Sequence, residues 1–255
     1  MYAEERQEAM AHHVGRIGRV SVADLAEAYE VTTETVRRDL TVLERAGLLR
    51  RVHGGAVPAD SLPVTEAALA ERDLAHTKEK DRIARTAVAL VPPGDATMLL
   101  DAGSTTHRLA GLLPRDRRIT VLTHAVPVAS RLAGQANVEL HLLPGRVRST
   151  TQAAVGEDTV AALGRLRVDL AFVGTNGITA DHGFSTPDPA EAAVKRALIA
   201  AARRVVVLTD ASKFGAERTV SFARLSDVDV VVTDPGIRDE DRRVLDEAGV
   251  EVVVA

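Results

Sequence analysis

Seven short apolar runs recur after residue 95, and they limit the possible folds more than any other feature of the chain. They are Thr97–Leu100, Ile119–Thr123, Val138–Leu143, Leu170–Val173, Val205–Thr209, Val228–Thr233 and Val250–Val254. Most are continuous Val, Leu and Ile rather than alternating, as expected of strands covered on both faces. Helical patterns such as Ala190–Ala202 and Glu240–Ala248 lie between most of them. This alternation predicts an α/β domain with a mostly parallel sheet. Aromatic residues are only 2% of the chain and Trp is absent, so the core must be Val, Leu, Ile and Ala.

The first 57 or so residues follow a helical period instead. Met10, Val14 and Ile17 share one face of a first helix. A second starts at Ser21, with Asp24 placed for a capping box, and aligns Val22, Leu25, Ala26 and Tyr29. A third starts at the N-cap Thr32, aligns Val36, Leu40 and Leu43, and stops at Gly47. Two extended runs around Gly54-Gly55 read as a tight hairpin. Helices two and three with their short turn fit a helix-turn-helix, and the hairpin fits a wing. The third helix offers Thr33, Thr35, Arg37 and Arg38 on its outer face, and the wing adds Arg50, Arg51 and His53. Arg can neutralise phosphates or read guanine in the major groove. The whole chain carries a net charge of −4, so any DNA-binding surface has to be local. Residues 31–57 hold five Arg against Glu34, Asp39 and Glu44, a local net of +2, whereas residues 1–30 hold three Arg against six acids.

The expected organisation is a winged helix-turn-helix DNA-binding domain over 1–57, a linker over 58–76 marked by Pro58 and Pro63, and an effector-binding and oligomerisation domain over 77–255. A helical stretch from about Glu66 to Leu90 is interrupted or bent near His76.

Ligands of an open parallel sheet bind at the carboxyl ends of its strands. Asp101-Ala102-Gly103-Ser104-Thr105-Thr106 follows the first run and opens a helix. Small and hydroxyl residues there suit an anion, because Gly lets backbone approach and helix N–H groups are free, although a plain N-cap fits equally well. Later strand ends carry His124, Arg146 and Arg148, Gly174-Thr175-Asn176-Gly177 and Asp210-Ala211-Ser212-Lys213. Together they suit a small phosphorylated polyol. Lys213 is one of four lysines in a chain that otherwise uses Arg. Asp188, Pro189 and Glu191 fit a capping box, with Glu191 and Lys195 as an i,i+4 pair, yet Asp188 and Glu191 could also face ligand hydroxyls.

The string Val31–Leu40, followed by Leu43–Ala56, closely resembles the DNA-binding signature of the DeoR/GlpR family of bacterial transcription regulators. The stretches Leu100–Thr106, Asp169–Ile178, Glu191–Arg196 and Asp210–Gly215 resemble the family's C-terminal sensor domain. The resemblance covers nearly the whole chain. It implies a repressor that binds operator DNA, and a sensor fold like those of ribose-5-phosphate isomerases and CoA transferases, used to sense sugar phosphates. The sequence departs from the family at His124, where Asn usually follows the strand-end Thr. Gly174–Ile178 and His182–Asp188 look similar to regulators of fructose operons, which implies fructose 1-phosphate as the effector.

The rival reading is a sugar-phosphate isomerase with an accessory DNA-binding domain. Such an enzyme needs a general base. Ribose-5-phosphate isomerases carry an Asp-Gly-Ala-Asp-Glu run after a central strand, whereas Gly174-Thr175-Asn176-Gly177 at the equivalent place holds no carboxylate, so no catalytic residue is expected. The absence of Cys excludes thiolate metal sites and Cys nucleophiles. His12-His13 lacks partners at ligand spacing, no dinucleotide fingerprint follows a strand and no nucleophile elbow occurs, so neither metal nor cofactor is expected. The polar N-terminus and the lack of long apolar runs predict a cytoplasmic protein without a membrane partner. Helix-turn-helix proteins usually read two half-sites, so a homodimer or tetramer is expected.

Overall fold

The computed structural model describes residues 2–17, 20–52, 54–58 and 68–255, and the chain divides into two compact units, Met1–Leu62 and Pro63–Ala255. The first unit runs α1 (Ala3–Ile17), β1 (Val20–Ser21), α2 (Val22–Ala28), α3 (Thr33–Arg45), β2 (Leu49–Val52) and β3 (Gly55–Pro58). Its helix boundaries follow the caps. Ser21 Oγ accepts the Asp24 N–H at 3.0 Å, and Asp24 accepts the Ser21 N–H at 3.3 Å. Thr32 Oγ1 accepts the Thr35 N–H at 3.2 Å and starts α3. Gly47, at φ +70°, ends it. Val36, Leu40 and Leu43 then pack with Met10, Val14, Leu25 and Leu49 in one buried cluster. Ile17 does not join them. It is the last residue of α1 and is 57% exposed.

Strands β2 and β3 form the antiparallel hairpin, with Val52 opposite Gly55. The two glycines have separate tasks. Gly54 lies in the turn at φ +76°. Gly55 is already in β3, where a Cβ would stand 2.1 Å from the Val20 carbonyl oxygen, so its bareness admits β1 rather than the turn.

The second unit begins with α4 (Leu69–Leu74) and α5 (Thr77–Val88), broken where His76 takes φ +53°. The chain continues through β4 (Ala96–Leu100), α6 (Ser104–Ala110), β5 (Ile119–Thr123), α7 (Val126–Leu132), β6 (Val138–Leu142), β7 (Arg146–Arg148), β8 (Ala153–Val155) and α8 (Glu157–Gly164). Then follow β9 (Val168–Gly174), β10 (Gly177–Thr179), β11 (Gly183–Thr186), α9 (Pro189–Ala201), β12 (Ala202–Leu208), β13 (Val220–Ala223), β14 (Val230–Thr233), α10 (Asp239–Glu247) and β15 (Glu251–Val254). Helix α4 falls inside the segment expected to be linker. Pro63 and Glu66 lie outside the described residues.

All seven apolar runs become strands of one sheet, in the order β15-β14-β12-β9-β4-β5-β6, and every neighbouring pair is parallel. Buried residues of α5, α6 and α7 cover one face, and those of α8, α9 and α10 the other. The exceptions are the two edge strands, β6, where Glu139, His141 and Leu142 are exposed, and β15, where Glu251 and Val254 are, so coverage on both faces does not extend to these runs. The chain lays β5 and β6 on one side of β4 and returns to place β9 on the other. That reversal opens a crevice at the carboxyl ends of β4 and β9. Two further small sheets, β7-β8 and β10-β11-β13, are antiparallel.

Candidate functional site

On the first unit, the exposed face of α3 carries Thr33, Arg37 and Arg38. The two Arg side chains are 55% and 81% exposed and lie 3.6 and 3.7 Å from Glu34. Asp39, counted above against the local positive charge, is buried. It accepts hydrogen bonds at 2.8 Å from Arg6 and from Gln7 of α1. The outward face of α3 is therefore more basic than the sequence sum. Thr35 is half-buried, with its hydroxyl 2.9 Å from that of Thr32. The Arg51 guanidinium donates to Thr41 Oγ1 at 2.9 Å, and its N–H donates to Glu44 at 2.9 Å, so the wing is tied to α3. Arg50 is half-buried; burial pulls its guanidinium below the ordinary value, and Glu44 opposes that shift. His53 lies outside the described residues.

On the second unit, Asp101 at the end of β4 is fully buried. Its carboxylate accepts from Lys195 of α9 and from the Gly174 N–H at 2.8 Å, and lies 2.9 Å from His124 Nε2. Burial alone would raise its pKa. The charge of Lys195 and the hydrogen bond from His124 prevail and hold it well below the usual carboxylate range. Lys195 Nζ also donates to the Gly174 carbonyl at 2.8 Å. His124 Nδ1 is 2.8 Å from the Ala154 carbonyl oxygen, which fixes the ring on its other side. This cluster ties together the ends of β4, β5 and β9.

In front of it lies a cleft of about 230 Å³. Gly103, Ser104, Thr105 and Thr106 line it, with Gly174, Thr175 and Asn176, with Lys80, Lys195, Asp210 and Lys213, and with Glu71, Arg72 and Ala75 of α4 and its end. Ser104 and Thr105 are each only 7% exposed, and their hydroxyls have no partner among the described residues. Thr106 is engaged, donating to the Gly103 carbonyl at 3.0 Å. Burial would raise the Asp210 pKa, but Lys213, the Ser212 hydroxyl, His76 and Lys80 lower it on balance. Burial pulls Lys80 down to about 8, with Asp210 opposing. The cleft thus brings together hydroxyls, backbone N–H groups and ammonium groups, a set that suits a phosphate or phosphate ester.

Of the effector residues expected from sequence, Gly103, Ser104, Thr105, Thr106, Gly174, Asn176, Glu191 and Lys213 line the cleft. Asp101 and His124 lie behind it. Asp188 caps α9 by accepting the Glu191 N–H at 2.9 Å. Its other oxygen lies 3.2 Å from Arg148, whose guanidinium also reaches Glu191 at 2.6 Å. Glu191 therefore pairs with Arg148, and Lys195 with Asp101, instead of with each other as the i,i+4 spacing suggested. Arg146 is exposed on β7, and Gly177 opens β10, where a Cβ would come within 2.3 Å of the Ala216 carbonyl oxygen. Sequence reasoning missed Lys80, gave Lys195 only as a helix partner of Glu191, and gave Thr175 and Asp210 only as members of strand-end strings. The rarity that singled out Lys213 applied equally to Lys80 and Lys195.

Residues 6–61 match the model of the DeoR-like helix-turn-helix domain, and residues 75–235 match that of the DeoR C terminal sensor domain. The chain belongs to the DeoR family. It is 32% identical over 251 residues to the putative aga operon transcriptional repressor of Escherichia coli O157:H7, covering 98% of this chain and 93% of the relative. It is 32% identical over 235 residues to the glycerol-3-phosphate regulon repressor of Escherichia coli K12, covering 92% of each. Among solved structures, ribose 5-phosphate isomerase A from Methanocaldococcus jannaschii aligns at 18% identity and a TM-score of 0.40 over 56% of each chain. Membership of the DeoR family makes the chain a DNA-binding transcriptional regulator and not an isomerase. Its basic α3 face lies in the helix-turn-helix domain, and its cleft lies in the sensor domain. No helix among the described residues is long and apolar enough to cross a membrane.

Proposed function

We propose that this DeoR-family regulator represses a sugar-utilisation operon, and that a phosphorylated sugar in the sensor cleft controls its affinity for operator DNA. The observation that carries the reading is the cleft itself, whose lining brings together the hydroxyls of Ser104 and Thr105, unpartnered among the described residues, and the side chain of Lys213. The phosphate sits at the start of α6, and Asn176 and Glu191 face the sugar. The name of the glycerol-3-phosphate regulon repressor is in keeping with a phosphorylated polyol. Fructose 1-phosphate is the proposed effector, on the sequence of Gly174–Ile178 and His182–Asp188. Thr33, Arg37, Arg38 and the wing residues Arg50 and Arg51 contact DNA, and the protein acts in the cytoplasm as a homodimer or tetramer on paired half-sites. Asp188 and Arg148 hold Glu191 in place rather than touching the sugar.

Calorimetric titration with fructose 1-phosphate tests the effector site. Hydrogen bonds to a charged group contribute roughly 1.5–3 kcal/mol each. Thr105→Val and Lys213→Ala are each expected to weaken binding about tenfold or more while sparing operator binding without ligand. Unchanged ligand affinity in both variants contradicts the assignment.

A further inference from the structure

Helix α4 has no buried residue, so its position rests on polar contacts rather than on a packed apolar face. At its N-terminus the Leu69 N–H donates to the Thr150 carbonyl at 2.9 Å, and the other contacts gather at its C-terminus, where the last carbonyls of a helix lack intrahelical donors. Lys80 Nζ, reaching up from α5, donates to the Arg72 carbonyl and, at 2.6 Å, to the Ala75 carbonyl. Arg108 of α6 donates to the Asp73 carbonyl at 2.9 Å. The Thr77 hydroxyl lies 3.2 Å from the Asp73 and Leu74 carbonyls. Of these three capping groups, only Lys80 lines the sensor cleft. It is just 4% exposed and has Lys213, Arg108 and Asp210 as charged neighbours. The same ammonium therefore serves two masters, the end of α4 and the interior of the cleft.

We infer that Lys80 couples occupancy of the cleft to α4, an anion in the cleft drawing its ammonium away from the Arg72 and Ala75 carbonyls and loosening the helix. The inference rests on the reading that the cleft takes a phosphorylated sugar. An ammonium gains more from a phosphate than from two neutral carbonyls, because charge-assisted hydrogen bonds are the stronger kind. With the cap withdrawn, α4 still has the Arg108 and Thr77 contacts and the hydrogen bond from the Leu69 N–H to the Thr150 carbonyl, but no buried apolar residue. In chain order α4 is the first described element after the DNA-binding unit. A change in its order is thus delivered to the segment that joins the two units. Lys80 is a positioning residue for the response and not merely one more ligand to the phosphate.

The test uses the full chain with fructose 1-phosphate, fructose 6-phosphate, glucose 6-phosphate and glycerol 3-phosphate as probes. Hydrogen exchange in residues 69–75 of the unaltered protein is expected to speed up about tenfold or more with whichever probe shifts operator affinity. Lys80→Met removes the cap without any ligand. Its operator affinity without a probe is expected to lie within about twofold of the saturated unaltered protein, and to move no further when the probe is added. A Lys80→Met variant that binds operator like the unliganded protein and responds fully overturns the coupling. So does a probe that shifts operator affinity while exchange in 69–75 stays constant, a result that stands even if the variant fails to fold. If the unaltered protein responds to none of the probes, the cleft assignment falls and the coupling falls with it. A responsive protein beside an indifferent Lys80→Met variant removes the coupling alone.

Discussion

Asp101 is buried among Lys195, His124 and the Gly174 amide, and its loss leaves Lys195 as an uncompensated buried charge. Breaking such a pair from one side costs about 3–5 kcal/mol. Asp101→Asn is therefore expected to destabilise the sensor unit by that order in urea unfolding; a loss under 1 kcal/mol would contradict the burial argument. The pH dependence has a definite sign. The folded carboxyl titrates below its unfolded value, so its contribution is fully present above about pH 4–5 and fades as the pH falls further. Asp101→Asn is expected to flatten that acid limb. At this scale the sequence was a partial guide. Asp101, Ser104, Thr105 and Lys213 were legible because they follow an apolar run or are rare. Lys80 was not, because a lysine inside a helical period reads as a solvated residue until the fold turns it inward. The Arg148–Glu191 pair was hidden for a similar reason, since its partners are 43 residues apart and the nearer Lys195 offered a simpler match.

The elements most legible in the sequence were those whose residues satisfy a single local rule. Capping at Ser21 and Thr32, the α3 face of Val36, Leu40 and Leu43, and the seven apolar runs all fall in this class. The short strands β7, β8, β10, β11 and β13 have three or four residues each, too few for a period to show. Gly55 was misread because its neighbour β1 is remote in the chain. Gly55→Ala drives a Cβ into the Val20 carbonyl and is expected to lower the stability of the winged unit by about 1–3 kcal/mol, with operator affinity falling in parallel. A neutral effect in thermal unfolding would show that β1 does not pack there. The recognition helix has its own test. Arg37→Ala and Arg38→Ala are each expected to weaken operator binding. Loss of a phosphate contact reduces the salt slope by about one, whereas loss of a base contact costs roughly 1–3 kcal/mol and relaxes specificity. Filter binding across a salt series distinguishes the two, and unchanged affinity in both variants removes α3 from the interface.

Over the whole molecule, the two units carry separate cores and separate chemistry. Residues 68–255 are expected to fold alone, self-associate and bind a sugar phosphate without DNA. Starting at 68 rather than 77 keeps α4, which receives Lys80, Arg108 and Thr77 at its end. A fragment that is unfolded by circular dichroism, or binds none of the probes, contradicts the autonomy of the sensor unit. The central claim is that a phosphorylated sugar held in the second unit sets the DNA affinity of the first. It is tested most directly by measuring operator affinity of the full chain with and without saturating sugar phosphates, beside their unphosphorylated sugars. At least one phosphorylated sugar is expected to change operator affinity by about fivefold or more, within the usual range of coupling between two sites, while its unphosphorylated counterpart changes nothing. Equal affinity with every phosphorylated sugar, or the same shift from the unphosphorylated one, would contradict the claim.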